Sequence, residues 1–261
     1  MNSIRVFFIG GFLAYRALFA WIHWSIYVPT MLGGPIFQIL FFAYIGRYAG
    51  LKSDEFFVIG NAVAISSVAG IFGMAFTIGG ERWMQTLSSI LVTPANRLAL
   101  FLGRTLPNIA NGIIVSTVGF IVGWLVLDFS LAPSEIPAIA VIVAVCSFSC
   151  TALGAVIGAF GLRGRDIIFF ANLFVLTFLL FCGVNVPLDS LPNWMQEVGN
   201  LLPLTHGIEA AREVADGASL GDVSDLVLTE FAIGLCYAAI AYVLLRVFEV
   251  ESRRRATLET I

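Results

Sequence analysis

Lysine occurs once in the 261 residues, at Lys52, and histidine twice, at His23 and His206. A phosphate-cradling Gly-x-x-x-x-Gly-Lys-Ser/Thr loop needs a lysine, and Gly50-Leu51-Lys52 does not supply that pattern. The chain therefore cannot hydrolyse ATP by that chemistry. Charge of either sign is also scarce. Only 12% of the residues are charged, against about 25% in soluble domains. Hydrophobic residues make up 59% and Phe alone occurs 23 times, so the chain reads as an integral membrane protein. The four cysteines, Cys146, Cys150, Cys182 and Cys236, lie inside apolar runs without the paired spacing of a zinc or redox site. They read as buried, inert thiols. No cleavable signal peptide is expected, because Arg5 and Arg16 interrupt the first apolar stretch and no small-residue cleavage site follows.

A hydrocarbon core of about 30 Å needs about 20 apolar residues per helix. Six runs answer to that length: Ser25–Ile45, Phe56–Ile78, Leu106–Leu127, Ile136–Phe160, Ile167–Gly183 and Leu226–Leu245. The fifth is short and is closed by Pro187. Residues 1–24, with an arginine in mid-segment, read as a helix lying in the interface, or else as a first span with a snorkelling arginine. With both termini cytoplasmic, the inner segments hold eleven of the fourteen basic residues, leaving Arg47, Lys52 and Arg212 outside. That asymmetry fixes the orientation.

The spans hold almost no ionisable residue; Glu230, near the outer end of the sixth, is the exception. This argues against ion-coupled transporters, proton pumps and voltage sensors, which need buried charge. It argues equally against an intramembrane hydrolase, and no catalytic residue or metal site is expected. Uncharged polar residues do occur in the spans, among them Gln38, Asn61, Ser66, Ser67, Asn108, Asn111, Asn172 and Thr177. Unpaired amides in hydrocarbon are costly, so these should bond between helices or face a cavity. Phe37, Phe41 and Tyr44 stripe the first span, and Phe170, Phe174, Phe178 and Phe181 the fifth. Gln38, Phe41, Asn61, Asn172, Phe174 and Phe178 are the candidates for lining a pathway; lipid-facing or interhelical roles stand beside that reading. Gly119-x-x-x-Gly123 and Gly154-x-x-x-Gly158 permit close helix contact.

Between the fifth and sixth spans, residues 184–225 hold two apolar pieces too short to span, Leu191–Leu202 and Leu204–Ala215, separated by Pro203. Pro192 suits the first turn of one, Thr205 can cap the other and Gly217 can end it. A helical hairpin dipping into the outer leaflet is one reading and a flat surface loop the other.

The remaining informative stretch is cytoplasmic. Gly79-Gly80 breaks the second run, and Thr93-Pro94 starts the next helix. Between them, Trp83, Leu87, Ile90 and Leu91 fall on one helical face, and Arg82, Gln85, Ser88 and Ser89 on the other. An amphipathic helix tied to two spans can be pushed by a partner, although an ordinary interfacial loop helix has the same pattern.

Glu81-Arg82, Thr86-Leu87, Leu91-Val92-Thr93-Pro94-x-x-Arg97 and Gly103-Arg104 form one motif. Cys182-Gly183-Val184-x-x-Pro187, Leu191-Pro192-x-Trp194 and Leu202-Pro203-Leu204-Thr205-x-x-x-Glu209-x-x-Arg212 form a second. With six spans and matching loop sides, the chain resembles the membrane subunits of ABC-2 type exporters over nearly its whole length. It departs from them at Met84 and Gln85, where the family often has a second charged residue and a glycine.

The resemblance implies an all-α membrane protein, one transmembrane domain over 1–261, with six spans. Residues 1–24 would be the interfacial helix, 80–93 a coupling helix and 184–225 re-entrant outer helices. Glu81, Arg82, Trp83, Gln85 and Leu87 would engage a separate ABC ATPase, present in two copies. Gly183, Pro187, Leu191, Pro192, Trp194, Pro203 and Glu209 would form the outer gate. A second permease subunit and membrane lipids are the other implied partners; no nucleic acid is. ATP and Mg would be bound by the ATPase, with no cofactor on this chain. The implied activity is export of an amphipathic drug- or antibiotic-like substrate across a prokaryotic cell membrane. Export of a lipid-linked glycan or a lipid is the alternative, and a non-transporting membrane scaffold a third.

Overall fold

The computed structural model describes residues 9–12, 29, 33–50, 53–83, 97–161 and 166–255. The described elements are helical throughout, with no strand among them. In chain order they are α1 (Gly34–Ala49), α2 (Asp54–Trp83), α3 (Arg97–Val126), α4 (Ile136–Gly161), α5 (Ile167–Phe181), a 3-10 turn (Leu188–Ser190), α6 (Asn193–Leu201), α7 (Thr205–Ala215) and α8 (Ser224–Arg255). Four stretches are long and apolar enough to cross a membrane: Asp54–Gly79, Gly103–Val126, Ile136–Gly161 and Ser224–Phe248. α5 is apolar but has 15 residues, which cover roughly 22 Å at 1.5 Å per residue. α1 continues past the run expected at Ser25–Ile45, ending where Gly50 turns left-handed at φ 61°; most of that run before Gly33 lies outside the described residues.

α2 is the hub, and α1, α3, α4, α5 and α7 all pack on it. Small residues set how closely. A Cβ on Gly154 would come 2.7 Å from the Gly70 carbonyl oxygen and 2.8 Å from Ile71 Cα, so α4 lies backbone to backbone on α2. Gly158 does the same against Ala75 one turn on, at 3.2 Å. On the other side Gly119 meets Ala62 at 3.2 Å, and Gly123 leaves room for Val58. Both small-x-x-x-small pairs read from the sequence are thus interfaces. The polar residues pair as hydrocarbon demands: Ser116 Oγ donates across to the Ala62 carbonyl at 2.7 Å, while Ser66 Oγ returns to Val63 at 2.7 Å.

Two expectations need correction. Gly79-Gly80 does not end α2, which runs on to Trp83. The first of these glycines makes room: a Cβ on Gly79 would overlap Ile167 Cδ1 at the start of α5, and one on Gly161 would come 2.5 Å from the same atom. Cys236 is exposed on the outer flank of α8, whereas Cys146, Cys150 and Cys182 are buried as expected. Of the N-terminal segment, Ile9–Phe12 is helical, and Gly11 sits against the Gly103 carbonyl, to which a Cβ would come within 2.7 Å.

Candidate functional site

Glu81, Arg82 and Trp83 form the last turn of α2. Gln85 and Leu87 lie outside the described residues, as does the stretch 84–96. The outer segment is described in full. Cys182 caps α5, and Gly183 adopts φ 71°, a left-handed turn that glycine takes without strain. That turn lays Val184 against α2. A Cβ on Gly60 would overlap the Val184 carbonyl and lie 2.7 Å from Arg212 Nη2, so only glycine permits this approach.

Two amide bonds and one guanidinium hold the segment there. Gln38 Nε2 on α1 donates to Asn61 Oδ1 at 3.0 Å, and Asn61 Nδ2 donates to Asn185 Oδ1 at 2.8 Å. Arg212, near the end of α7, donates from Nη2 to the carbonyls of Phe56 and Val184, both at 3.1 Å. Its guanidinium carbon lies 3.6 Å from the centre of the Phe56 ring. Burial pulls this group down to about 10, and it stays charged at neutral pH.

α6 and α7 match the two expected apolar pieces, and Gly217 ends the second as read. With φ 101°, it donates to Val214 at 3.0 Å, and Ala218 donates to Glu213 at 2.9 Å, a complete Schellman closure. Thr205 does not cap α7. Its hydroxyl donates back to the Gly199 carbonyl at 2.5 Å, tying α7 to α6. The start of α7 is instead met by Glu230 of α8, whose carboxylate accepts the Leu204 N–H at 2.9 and 3.1 Å and the Ser149 hydroxyl of α4. Leu204 itself stands at φ 86°, a region that costs a non-glycine residue roughly 1–3 kcal/mol unless its surroundings hold it.

The other proposed gate residues are spread over this framework. Pro203 is buried, Pro187 and Leu191 are half-buried, and Pro192, Trp194 and Glu209 are exposed. Trp194 makes an edge contact with Phe181 at 5.9 Å, joining α6 to the end of α5. Among the lining candidates, Gln38 and Asn61 share the amide chain, whereas Phe178 is buried in the core. Phe41 is exposed on α1, Phe174 is half-buried on α5, and Asn172 is exposed with its amide on the Ile168 carbonyl at 2.9 Å.

Sequence reasoning did not single out Glu230, Arg212 or Asn185 as one assembly. Glu230 carried a signal, being the ionisable residue inside a span. Nothing local pairs it with Leu204, 26 residues earlier.

Two clefts open on the flanks. One, of about 330 Å³, lies among α3, α4 and α8 and is lined chiefly by Phe148, Ala152, Ala155, Leu235, Ala238 and Tyr242. The other, of about 390 Å³, lies between α3 and α4, with Trp124, Phe129, Ile136 and Val143 in its walls. Both are apolar almost throughout. Among the described residues, no group of three or more His, Cys, Asp or Glu side chains converges as a metal site.

Residues 7–215 match the family model described as ABC-2 type transporter. The chain is similar to nodulation protein J of Rhizobium leguminosarum bv. viciae, 23% identical over 188 residues that cover 69% of each protein. Nodulation protein J of Rhizobium meliloti (strain 1021) is 24% identical over 211 residues, covering 77% of this chain and 74% of the relative. That of Sinorhizobium fredii (strain NBRC 101917 / NGR234) is 26% identical over 171 residues, covering 65% and 64%.

Proposed function

The chain belongs to the ABC-2 type transporter family, and we propose that it is the membrane subunit of a bacterial inner-membrane exporter for an amphipathic substrate. Such subunits pair with ABC ATPases and carry no ATPase site themselves. The amphipathic substrate is inferred from one observation: the two clefts on the bundle's flanks are apolar, while the one fully buried charge among the described residues is already engaged by protein donors. A compact hydrophilic solute would have to leave its hydration behind without compensation there. A molecule with an apolar body would not.

In this reading the ATPase acts on the stretch 80–93, and α2 and α3, which flank it, carry the movement into the bundle. Two copies of the chain, or this chain and a close relative, enclose the path, with α1 and α5 toward the partner. The outer segment from Pro187 to Gly217 is the gate. Its two helices are too short to span, and α7 is wedged among α2, α4 and α8.

A drug- or antibiotic-like cargo and a lipid-linked glycan or lipid share this chemistry. Reconstitution with the ATPase, followed by vesicle transport and substrate-stimulated hydrolysis across both groups, separates them. Transport confined to small hydrophilic solutes would sink the reading. Replacing residues 191–216 with a flexible linker tests the gate. Membrane insertion should persist and vectorial export should vanish, and export at the parent rate removes the gate.

A further inference from the structure

Among the described residues, Glu230 is the one charged side chain that is fully buried, at 0% exposure. Three elements meet at its carboxylate. α8 carries it, the Ser149 hydroxyl of α4 donates to it, and the Leu204 N–H at the start of α7 donates to both its oxygens at 2.9 and 3.1 Å. The Leu204 N–H can only donate, the complement of an ionised carboxylate, while the Ser149 hydroxyl also lies 3.1 Å from the Cys146 carbonyl. One turn into α7, Gly207 lies directly on the Cys146 thiol. A Cβ there would overlap Sγ and come 3.6 Å from Glu230 Cγ. Leu204, the residue gripped, is also the one with a left-handed backbone. A strained pivot, a helix and a buried acid on a different span therefore meet at one point. The matched family stretch ends at residue 215, before α8 begins.

We propose that Glu230 is the positioning residue of the outer segment: its carboxylate fixes the start of α7 over the Cys146 thiol and holds the gate shut until α8 moves relative to α4. This rests on the gate reading above. Because the acid is on α8 and its two donors are on other elements, a displacement of α8 separates all three at once. Leu204 is then free to leave its left-handed conformation, and α7 lifts from Cys146.

Cys146 is a native reporter. In a chain carrying it as the only cysteine (Cys150→Ala, Cys182→Ala, Cys236→Ala), reconstituted in lipid nanodiscs, maleimide labelling should be slow. Glu230→Gln should accelerate it by roughly ten- to a hundredfold, the population shift expected when a charge-assisted hydrogen bond is lost. Ser149→Ala should give a smaller rise, and Gln38→Leu, which breaks a separate bond on α1, none. A cysteine placed at Ala62, buried in α2, should stay slow in the Glu230→Gln chain, which a general loss of packing would not allow. Labelling of Cys146 unchanged by Glu230→Gln, in protein of parent helix content, overturns the proposal. Should that variant not fold, Ser149→Ala decides, and an unchanged rate there overturns it too. The gate reading fails separately, when the chain lacking 191–216 still exports.

Discussion

Arg212 grips Phe56 twice: the guanidinium carbon lies 3.6 Å from the ring centre, and Nη2 donates to the backbone carbonyl of the same residue at 3.1 Å. Phe56 is in the first turn of α2, so one side chain from the outer segment clasps the start of the central helix from above and beside. The same nitrogen also donates to Val184. A planar cation meets this geometry and a point charge does not.

Arg212→Lys should therefore fail to substitute. Each such stacking contact is worth about 0.5–2 kcal/mol, and the two carbonyls lose a charged donor as well. A lower thermal midpoint in detergent and faster proteolysis between Gly183 and Gly217 are the expected outcomes, for Lys and Met alike. A lysine variant indistinguishable from the parent would show that charge alone suffices.

Gly154→Val should separate α4 from α2. The Cβ would already sit 2.7 Å from the Gly70 carbonyl oxygen, and that neighbour is backbone, which cannot swing aside. Overpacking of this kind typically costs 1–3 kcal/mol, about enough to lower expression or the unfolding midpoint measurably. Gly34→Ala is the control, since no described residue lies within 4 Å of its Cβ position.

Charge reversal at the end of α2 tests the proposed ATPase contact. Exposed ion pairs contribute about 0–1 kcal/mol each, so a single change is expected only to loosen a complex. Glu81→Arg with Arg82→Glu turns attraction into repulsion. The double variant should insert and assemble normally yet lose the pulled-down ATPase and nucleotide-driven export. Aspartate at Trp83 and Leu87 should instead uncouple transport while leaving the pull-down nearly intact. Parent behaviour in both assays for the double reversal would take this stretch out of the mechanism.

Cysteines at Phe41 and Phe174, in a cysteine-depleted background, should crosslink between two copies. Phe41 stands 60% exposed on α1, on a face that none of the described residues covers. Leu125 on α3, similarly exposed at 64% and outside both clefts, serves as the control. Crosslinks at Leu125 alone would place the partner on another flank.

Much of the architecture was legible because hydrocarbon and punctuation act locally. The runs that became α2, α3, α4 and α8 were fixed by length and apolarity, and the two short helices α6 and α7 by Pro192, Pro203 and Gly217. Gly79-Gly80 misled for a physical reason. Glycine weakens a helix that water can compete with, but inside a packed bundle it lets Ile167 approach, and that contact outweighs its propensity. Thr205 misled because a hydroxyl at a helix start usually caps it. The capping was taken over by Glu230, from an element the local pattern cannot see. Arg212 stood out only as an outer basic residue closing the second motif, and its partners, 156 and 28 residues away, could not be read from its neighbours.

The amide chain from Gln38 through Asn61 to Asn185 has a direction. Each nitrogen donates forward to the next oxygen, and the last nitrogen, Asn185 Nδ2, is buried with no acceptor among the described residues. Aligned amides polarise one another, so whatever acceptor reaches Asn185 strengthens both links behind it. Reversal requires turning the amides together, which Asn61 resists while its Nδ2 also holds the Phe57 carbonyl at 2.9 Å. The chain thus joins the helix at one flank of the bundle to the segment after α5 through aligned dipoles, so a change at either end, Gln38 or Asn185, is felt at the other.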